Sequence, residues 1–134
     1  MAYTTIDNST SFFNTVLYTG NGTNGREITG VGFQPDFVWI KPRSVASSHT
    51  QVDSVRGANG SVMRTIFSNL SDAEESTTSD TNLAYGVVNA ITSDGFTVGS
   101  GNTSDGRTNQ SSATYCSWNW LAGGSASSNS NGST

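Results

Sequence analysis

Two residue types in this sequence commonly act in catalysis or metal binding, and each occurs once, as His49 and Cys116. A thiolate beside an imidazole is a nucleophile, and both side chains are ligands for zinc. A zinc site needs several such ligands at short spacing, and the sequence has no second histidine or cysteine. The Gly-x-Ser-x-Gly motif of a serine nucleophile is also missing. We therefore predict neither a zinc site nor a nucleophile and base pair.

Other motifs that can carry chemistry have simpler interpretations. Glu74 and Glu75 are adjacent acids in a Ser- and Thr-rich stretch, which favours a solvated loop over the spaced carboxylates of a glycosidase. Thr-Ser-Asp-Gly occurs at Thr92–Gly95 and Thr103–Gly106, but the closing glutamate of a calcium loop is missing and Asp-Gly favours turns. Gly99-Ser100-Gly101 precedes no helix, so it is no dinucleotide loop. We predict no enzyme activity, no catalytic, metal-binding or cofactor-binding residues and no cofactor, and leave ligand-binding residues unassigned.

The charge and hydrophobicity of the sequence argue against nucleic acid and membranes as partners. The 134 residues carry a net charge of −4, and the six Lys and Arg residues are scattered, so nucleic acid is not an expected partner. No apolar run approaches the length that spans a membrane, and the N-terminus lacks the pattern of a secretory signal. We expect synthesis in a cytoplasm and no membrane association. A single cysteine forms no internal disulfide, so packing and oligomerisation must supply stability.

Periodicity predicts an all-β domain, an antiparallel β-sandwich of jelly-roll or concanavalin-like type with about eight short strands. Phe13–Tyr18 and Arg26–Val31 flank a Gly- and Asn-rich segment, which favours a hairpin between them. At most one helical turn is expected, at Ser71–Glu74. The other predicted strands are Phe37–Ile40, Thr50–Val55, Val62–Phe67, Tyr85–Ile91, Phe96–Val98 and Ala113–Leu121.

Two aromatic segments are predicted to lie in the core. The run Phe37–Ile40 is continuously apolar, as in a strand that is buried on both faces or packed at the centre of a sandwich, and Pro42 should end it. Near the C-terminus, alternation places Cys116, Trp118 and Trp120 on one face, which we expect to be the buried face. A platform for sugar stacking built on the tryptophans is the weaker interpretation. Residues 1–122 form the predicted sandwich domain, and the Gly-, Ser- and Asn-rich residues 123–134 form a flexible linker or tail.

Five segments carry a resemblance to a known type of domain. They are YTGNG (18–22), ITGVGFQPDFVWIK (28–41), DSVRGA (53–58), SDGFTV (93–98) and WNWLAG (118–123). In this order they resemble a domain of virion structural proteins of marine tailed phages, especially cyanophages. The resemblance implies a concanavalin- or laminin-G-like sandwich, often repeated in long fibre or appendage proteins, with the tail as the connection to the next copy. It brings no catalytic residues.

Two hypotheses on function follow from the resemblance. The first is a non-enzymatic structural component of a virion, in a fibre, tail appendage or capsid decoration, which assembles with other virion proteins and as a homo-oligomer. Its sandwich edges or faces would make the contacts, and the loops Ser44–Thr50 and Ser71–Asn82 would stay free. The alternative is a module that recognises a receptor or glycan on the host surface, with loop aromatics such as Tyr85 or the Asn-rich turns as contacts.

Overall fold

The computed structural model describes residues 8–59, 62–75, 86–101 and 106–122, and in these ranges the fold is all-β. One 3-10 turn, Ser9–Ser11, precedes the first strand, and Asn8 caps it by accepting the Thr10 N–H. The strands are β1 (Phe13–Thr19), β2 (Arg26–Ile28), β3 (Phe37–Pro42), β4 (Thr50–Asp53), β5 (Ala58–Asn59), β6 (Val62–Met63), β7 (Ile66–Phe67), β8 (Val88–Thr92), β9 (Gly95–Val98) and β10 (Thr114–Trp120).

Two antiparallel sheets form the domain. The larger has five strands in the order β1-β10-β3-β4-β7, and the smaller has three in the order β2-β9-β8. Strands β5 and β6 form a separate hairpin. The predicted all-β antiparallel sandwich is confirmed, although the predicted strand Val62–Phe67 is divided into β6 and β7. Ser71–Glu74 forms no helical turn.

Both sheets contribute to one hydrophobic core. The five-stranded sheet supplies Val38, Ile40, Val52 and Tyr115, and the three-stranded sheet supplies residues of every strand. These latter residues are Ile28, Val88, Phe96 and Val98. Burial of a side chain of this size stabilises the fold by about 1.5–3 kcal/mol. The core therefore lies between the sheets and holds them face to face.

The predicted hairpin between β1 and β2 is wrong, because the two strands belong to different sheets. β1 pairs with β10 and β2 pairs with β9. The segment between them crosses from one sheet to the other, and the N–H groups of Gly22 and Gly25 donate to the carbonyls of Asn109 and Val98. Both glycines have positive φ, at 71° and 75°, which a side chain would disfavour.

Asn109 is a fully buried polar residue that holds three chain segments together. Its Nδ2 donates to the carbonyls of Thr23 and Gly99 at 2.9 Å each. Its Oδ1 accepts from the N–H of Asn21 at 3.0 Å and from Arg26 at 3.3 Å. Because the amide is satisfied on both sides, a buried polar side chain fixes the end of the sandwich where β1 crosses to β2.

Strand β3 continues through Pro42, beyond its predicted end at Ile40. The N–H of Arg43 donates to the carbonyl of Thr114 at 2.7 Å, so in an antiparallel ladder the nitrogen of Pro42 points away from β10. On that side the pairing with β4 has already stopped at Ile40. A proline is therefore accommodated because the position requires no N–H donor.

Candidate binding face

Strand β10 directs its tryptophans to the outer face of the five-stranded sheet. Tyr115, Ser117 and Asn119 are fully buried and point into the sandwich, while Trp118 and Trp120 are only half-buried on the opposite side. The predicted alternation is confirmed, but the prediction that the tryptophans face the core is wrong. The inner face takes the polar residues because Asn119 Nδ2 donates to the carbonyl of Asn14 at 3.1 Å and to Ser117 Oγ at 3.1 Å.

Strand β3 shows the same arrangement. Val38, Ile40 and Pro42 are buried, whereas Phe37, Trp39 and Lys41 alternate with them and are half-buried. The prediction of a strand buried on both faces is therefore wrong for Phe37 and Trp39. Lys41 carried the missed signal, because it shares a face with Trp39 and a lysine rarely faces a sealed core.

The strand register gathers the outward aromatic residues into two rows. Phe13, Trp120 and Phe37 are directly opposite one another on β1, β10 and β3. The next row joins Thr15, Trp118, Trp39, Gln51 and Ile66, from β1 to β7. We use the name outer aromatic face for the patch formed by Phe13, Leu17, Phe37, Trp39, Ile66, Trp118 and Trp120.

The rings of the outer aromatic face contact one another at steep angles. Trp120 lies 5.0 Å from Phe13 and 5.2 Å from Phe37 between ring centroids, with interplanar angles of 52° and 54°. Trp39 and Trp118 lie 5.5 Å apart at 57°. Tilted pairs at these distances are favourable aromatic contacts. The rings therefore form one layer of mutually tilted aromatic side chains.

Apolar side chains at the margin of the patch remain open to solvent. Phe13 is 38% exposed, Leu17 is 61% exposed and Ile66 is 37% exposed. The charged neighbours are engaged elsewhere, because Lys41 Nζ donates to the carbonyl of Pro42 at 2.9 Å and Asp53 binds Arg56. The patch is thus largely apolar, with the ammonium group of Lys41 as a charge on the same face.

The candidate catalytic pair His49 and Cys116 lies in separate settings. The N–H of His49 donates to Asn69 Oδ1 at 2.8 Å, and desolvation together with the charge of Lys41 lowers the pKa of the imidazole. Cys116 lies between Leu17 and Lys41 in the register. It is 8% exposed, which confirms the prediction that it is buried. Burial raises the pKa of its thiol, and the charge of Arg43 opposes this shift only in part.

The adjacent acids Glu74 and Glu75 are bound by arginines. Glu74 accepts from Arg64 at 2.9 Å and from Arg56 at 3.1 Å, and these bonds lower the pKa of its carboxyl. Glu75 accepts from Arg107 at 2.9 Å. With its lowered pKa, Glu74 is a poor proton donor near neutral pH. In the described ranges, no three His, Cys, Asp or Glu side chains are grouped as a metal site would require.

The first Thr-Ser-Asp-Gly segment forms the turn between β8 and β9, as predicted. Its aspartate, Asp94, accepts the N–H of Gly30 at 3.0 Å and that of Gly32 at 2.6 Å, and both bonds lower the pKa of the carboxyl. This contact joins two segments of the phage resemblance, SDGFTV and ITGVGFQPDFVWIK. Their motif residues therefore have a structural role here, which the sequence alone did not predict.

Some predictions fall outside the described residues. The second Thr-Ser-Asp-Gly segment lies there except for Gly106, and so do Tyr85, most of the loop Ser71–Asn82 and the tail at residues 123–134. The loop Ser44–Thr50 is described and leads from β3 into β4. The domain boundary at residue 122 stays a prediction.

Residues 8–134 match a protein family described as Domain of unknown function (DUF7483). The chain belongs to this family. No curated protein and no solved structure matches the sequence. Among the described residues, no helix has the length and apolar character needed to cross a membrane.

Proposed function

We propose that this DUF7483 domain is a non-enzymatic structural module of a phage virion and that it acts through protein–protein contacts of the outer aromatic face. The observation that carries the proposal is the aromatic layer on the side of the five-stranded sheet opposite the core, with Trp39 and Trp118 at its centre. Contiguous apolar patches on a protein surface mark interaction sites. Tryptophan and phenylalanine are enriched in protein interfaces, while aspartate, glutamate and lysine are depleted there.

The dimensions of the face fit repeated, individually weak contacts. Five strands about 4.8 Å apart and six residues rising about 3.3 Å each give a face of roughly 20 by 20 Å. Its projected area of roughly 400 Å² is about half of what one partner contributes to a standard interface. A single such contact is of low affinity, whereas many copies held together gain strength from effective concentration. Subunits of a particle or fibre have that arrangement.

Two further observations support the proposal. The segments that resemble virion structural proteins extend from residue 18 to residue 123, almost the whole of the described chain. The adjacent acids that could have served glycoside cleavage are both held in ion pairs with arginines. A virion location, a concanavalin-like relationship and a non-enzymatic role are all parts of this proposal.

A double substitution in the centre of the face tests the proposal. We expect the native chain to associate as its concentration rises in sedimentation velocity, and the variant Trp39→Ser/Trp118→Ser to remain monomeric. The matched control is Val55→Ser/Leu70→Ser, which removes exposed apolar side chains from loops, where Val55 is 54% exposed and Leu70 is 43% exposed. The control should associate like the native chain. A native chain that stays monomeric at high concentration would contradict the proposal.

An electron cryomicroscopy map of the intact particle tests the proposed location. We expect density for the sandwich at regular positions of the particle, with the outer aromatic face against a neighbouring subunit. A face turned to solvent in every copy would contradict the assembly role.

Recognition of a host-surface glycan is the second candidate. The row that contains Trp39 and Trp118 also contains Gln51 and Thr15, and sugars bind to combinations of aromatic rings and hydrogen-bonding side chains. The interplanar angle of 57° prevents both indoles from lying flat against one sugar ring, so this candidate ranks second. A glycan array that binds the native chain and not the Trp39→Ser/Trp118→Ser variant would favour it over assembly.

A further inference from the structure

Strand β1 forms one edge of the five-stranded sheet. Some of its backbone N–H and C=O groups bond to β10, and the others point away from the sheet. Gly20 N–H donates to the carbonyl of Ala113 at 2.7 Å, and Leu121 N–H donates to the carbonyl of Phe12 at 2.8 Å. In an antiparallel ladder, residues that bond to the partner alternate with residues that point away from it. The N–H and C=O groups of Phe13, Thr15, Leu17 and Thr19 therefore point to the open edge.

Some of these outward groups have partners within the chain and others do not. Thr15 N–H donates to Asn14 Oδ1 at 2.9 Å, and Arg26 donates to the carbonyl of Thr19. Among the described residues, no hydrogen bond reaches the backbone N–H or C=O of Phe13 or Leu17. The open edge is thus centred on Thr15.

Between Phe13 and Leu17 the edge lacks the features that keep edge strands apart, and only its end at Thr19 is covered by a charged side chain, Arg26. Natural proteins protect such strands with charged residues, proline or bulges, and β1 has the sequence FNTVLYT and pairs without a bulge. No charged residue occurs from Asn8 to Gly25, although the chain carries a net charge of −4. Two copies can therefore bring this segment together without repulsion between like charges.

We propose that β1 pairs antiparallel with β1 of a second copy about a two-fold axis at Thr15. The arrangement places Phe13 opposite Leu17 of the second copy, so the unpaired backbone groups of each bond to the other, and the N–H of each Thr15 exchanges Asn14 Oδ1 for the Thr15 carbonyl across the axis. It also joins two five-stranded sheets into one of ten strands, and the outer aromatic face continues across the axis. A register centred on Val16 would require the carbonyl of Thr19, which Arg26 already occupies.

The strand at the other edge of the sheet is a less suitable partner for β1. That edge is β7, which contains only Ile66–Phe67, while β1 has seven residues. Pairing of β1 with itself uses the same surface on both copies and closes as a dimer. The inference rests on the proposed assembly role and names one of its surfaces.

Disulfide trapping tests the register directly. In a Cys116→Ala background, Thr15→Cys places two thiols opposite each other across the axis, with Cα atoms about 5.5 Å apart and within disulfide reach. The control is Leu17→Cys, an equally outward position on the same strand, whose two copies would be about 13 Å apart along the strands. We expect oxidation to form dimers roughly tenfold or more faster with Thr15→Cys than with Leu17→Cys. Equal rates, or a faster Leu17→Cys, would overturn the register.

Hydrogen exchange of the native chain tests the pairing without a substitution. The amides of Phe13 and Leu17 should exchange more slowly as protein concentration rises, while exposed loop amides should not change. Exchange that is independent of concentration would overturn the pairing. If Trp39→Ser/Trp118→Ser abolishes association and Thr15→Cys fails to form dimers, the assembly role stands and the edge pairing falls. If Thr15→Cys forms dimers and the Trp39→Ser/Trp118→Ser variant associates like the native chain, the pairing stands and the proposed role of the outer aromatic face falls.

Discussion

The two faces of strand β10 are stabilised by different interactions. On the inner face, the hydroxyl of Tyr115 donates to the carbonyl of Gly106 at 2.6 Å and accepts from Gln110 N–H at 2.8 Å. The ring of Tyr115 stacks on Tyr18 with centroids 5.0 Å apart and an angle of 14°. On the outer face, Trp118 and Trp120 pack against other rings of the same layer.

The difference shows that hydrophobicity alone does not decide which face is buried. A polar side chain is accommodated in the core when hydrogen bonds hold it, as for Asn119 Nδ2, which donates to Ser117 Oγ and to the carbonyl of Asn14. We therefore expect the inner face to determine stability and the outer face to determine association.

The largest expected effect tests whether the inner face of β10 contributes more to stability than the outer face. Tyr115→Ala removes a fully buried ring and its two hydrogen bonds, so it should reduce the free energy of unfolding by about 3–5 kcal/mol. Trp118→Ala removes a half-buried ring and should cost only about 1–2 kcal/mol. Chemical denaturation of both variants at low concentration measures the difference. Equal losses would mean that Trp118 belongs to the core after all.

The sequence predicted the periodicity of these strands but not their orientation. The two-residue period of a strand shows which residues of YCSWNW and FVWIK share a face, because this period is a local property of the chain. Which set faces inward depends on the opposite sheet, and its contribution from Phe96 and Val98 is distant in the chain. Hydrophobicity favoured the tryptophans for the core, but the inner positions are held by Tyr115, Ser117 and Asn119.

Strand pairing was predicted poorly for the same reason. The segment between Thr19 and Arg26 has the composition of a hairpin turn, but its backbone bonds to Asn109 and Val98, far along the sequence. The contact of Asp94 with Gly30 and Gly32 is similarly remote. Local composition indicates that a turn exists, and only the tertiary contacts decide which strands it joins.

The second largest expected effect is the loss of stability when another buried polar residue, Asn109, is replaced. Asn109→Ala removes four side-chain hydrogen bonds and leaves the carbonyls of Thr23 and Gly99 without a donor. We expect a loss of about 2–4 kcal/mol in the free energy of unfolding. Chemical denaturation measures this loss, and Asn69→Ala, which changes an exposed asparagine, is the control. A loss no larger than that of Asn69→Ala would show that buried hydrogen bonds do not stabilise this end of the sandwich.

The smallest effect concerns a polar contact at the surface, where solvent weakens the interaction. Asp94 accepts two backbone N–H groups in the folded chain, so its pKa is lower there than the ordinary 3.8 of the unfolded chain. Because the folded state binds the proton less tightly, the stabilisation is complete above that value and is lost as the pH falls through the lower folded-state pKa. We expect the midpoint of denaturation to decrease in this acidic range.

Asp94→Asn separates this contribution from the rest of the acid response. An asparagine side chain does not take up a proton in this pH range. The variant should therefore show a shallower decrease of the midpoint below about pH 4 than the native chain. Some decrease should persist, because arginine side chains also lower the pKa of Glu74. The control Asp72→Asn changes an exposed aspartate in a loop and should retain the native profile. An unchanged profile for Asp94→Asn would mean that its contact with Gly30 and Gly32 adds nothing to stability, and the surface contacts of this fold would then contribute less than its buried polar residues.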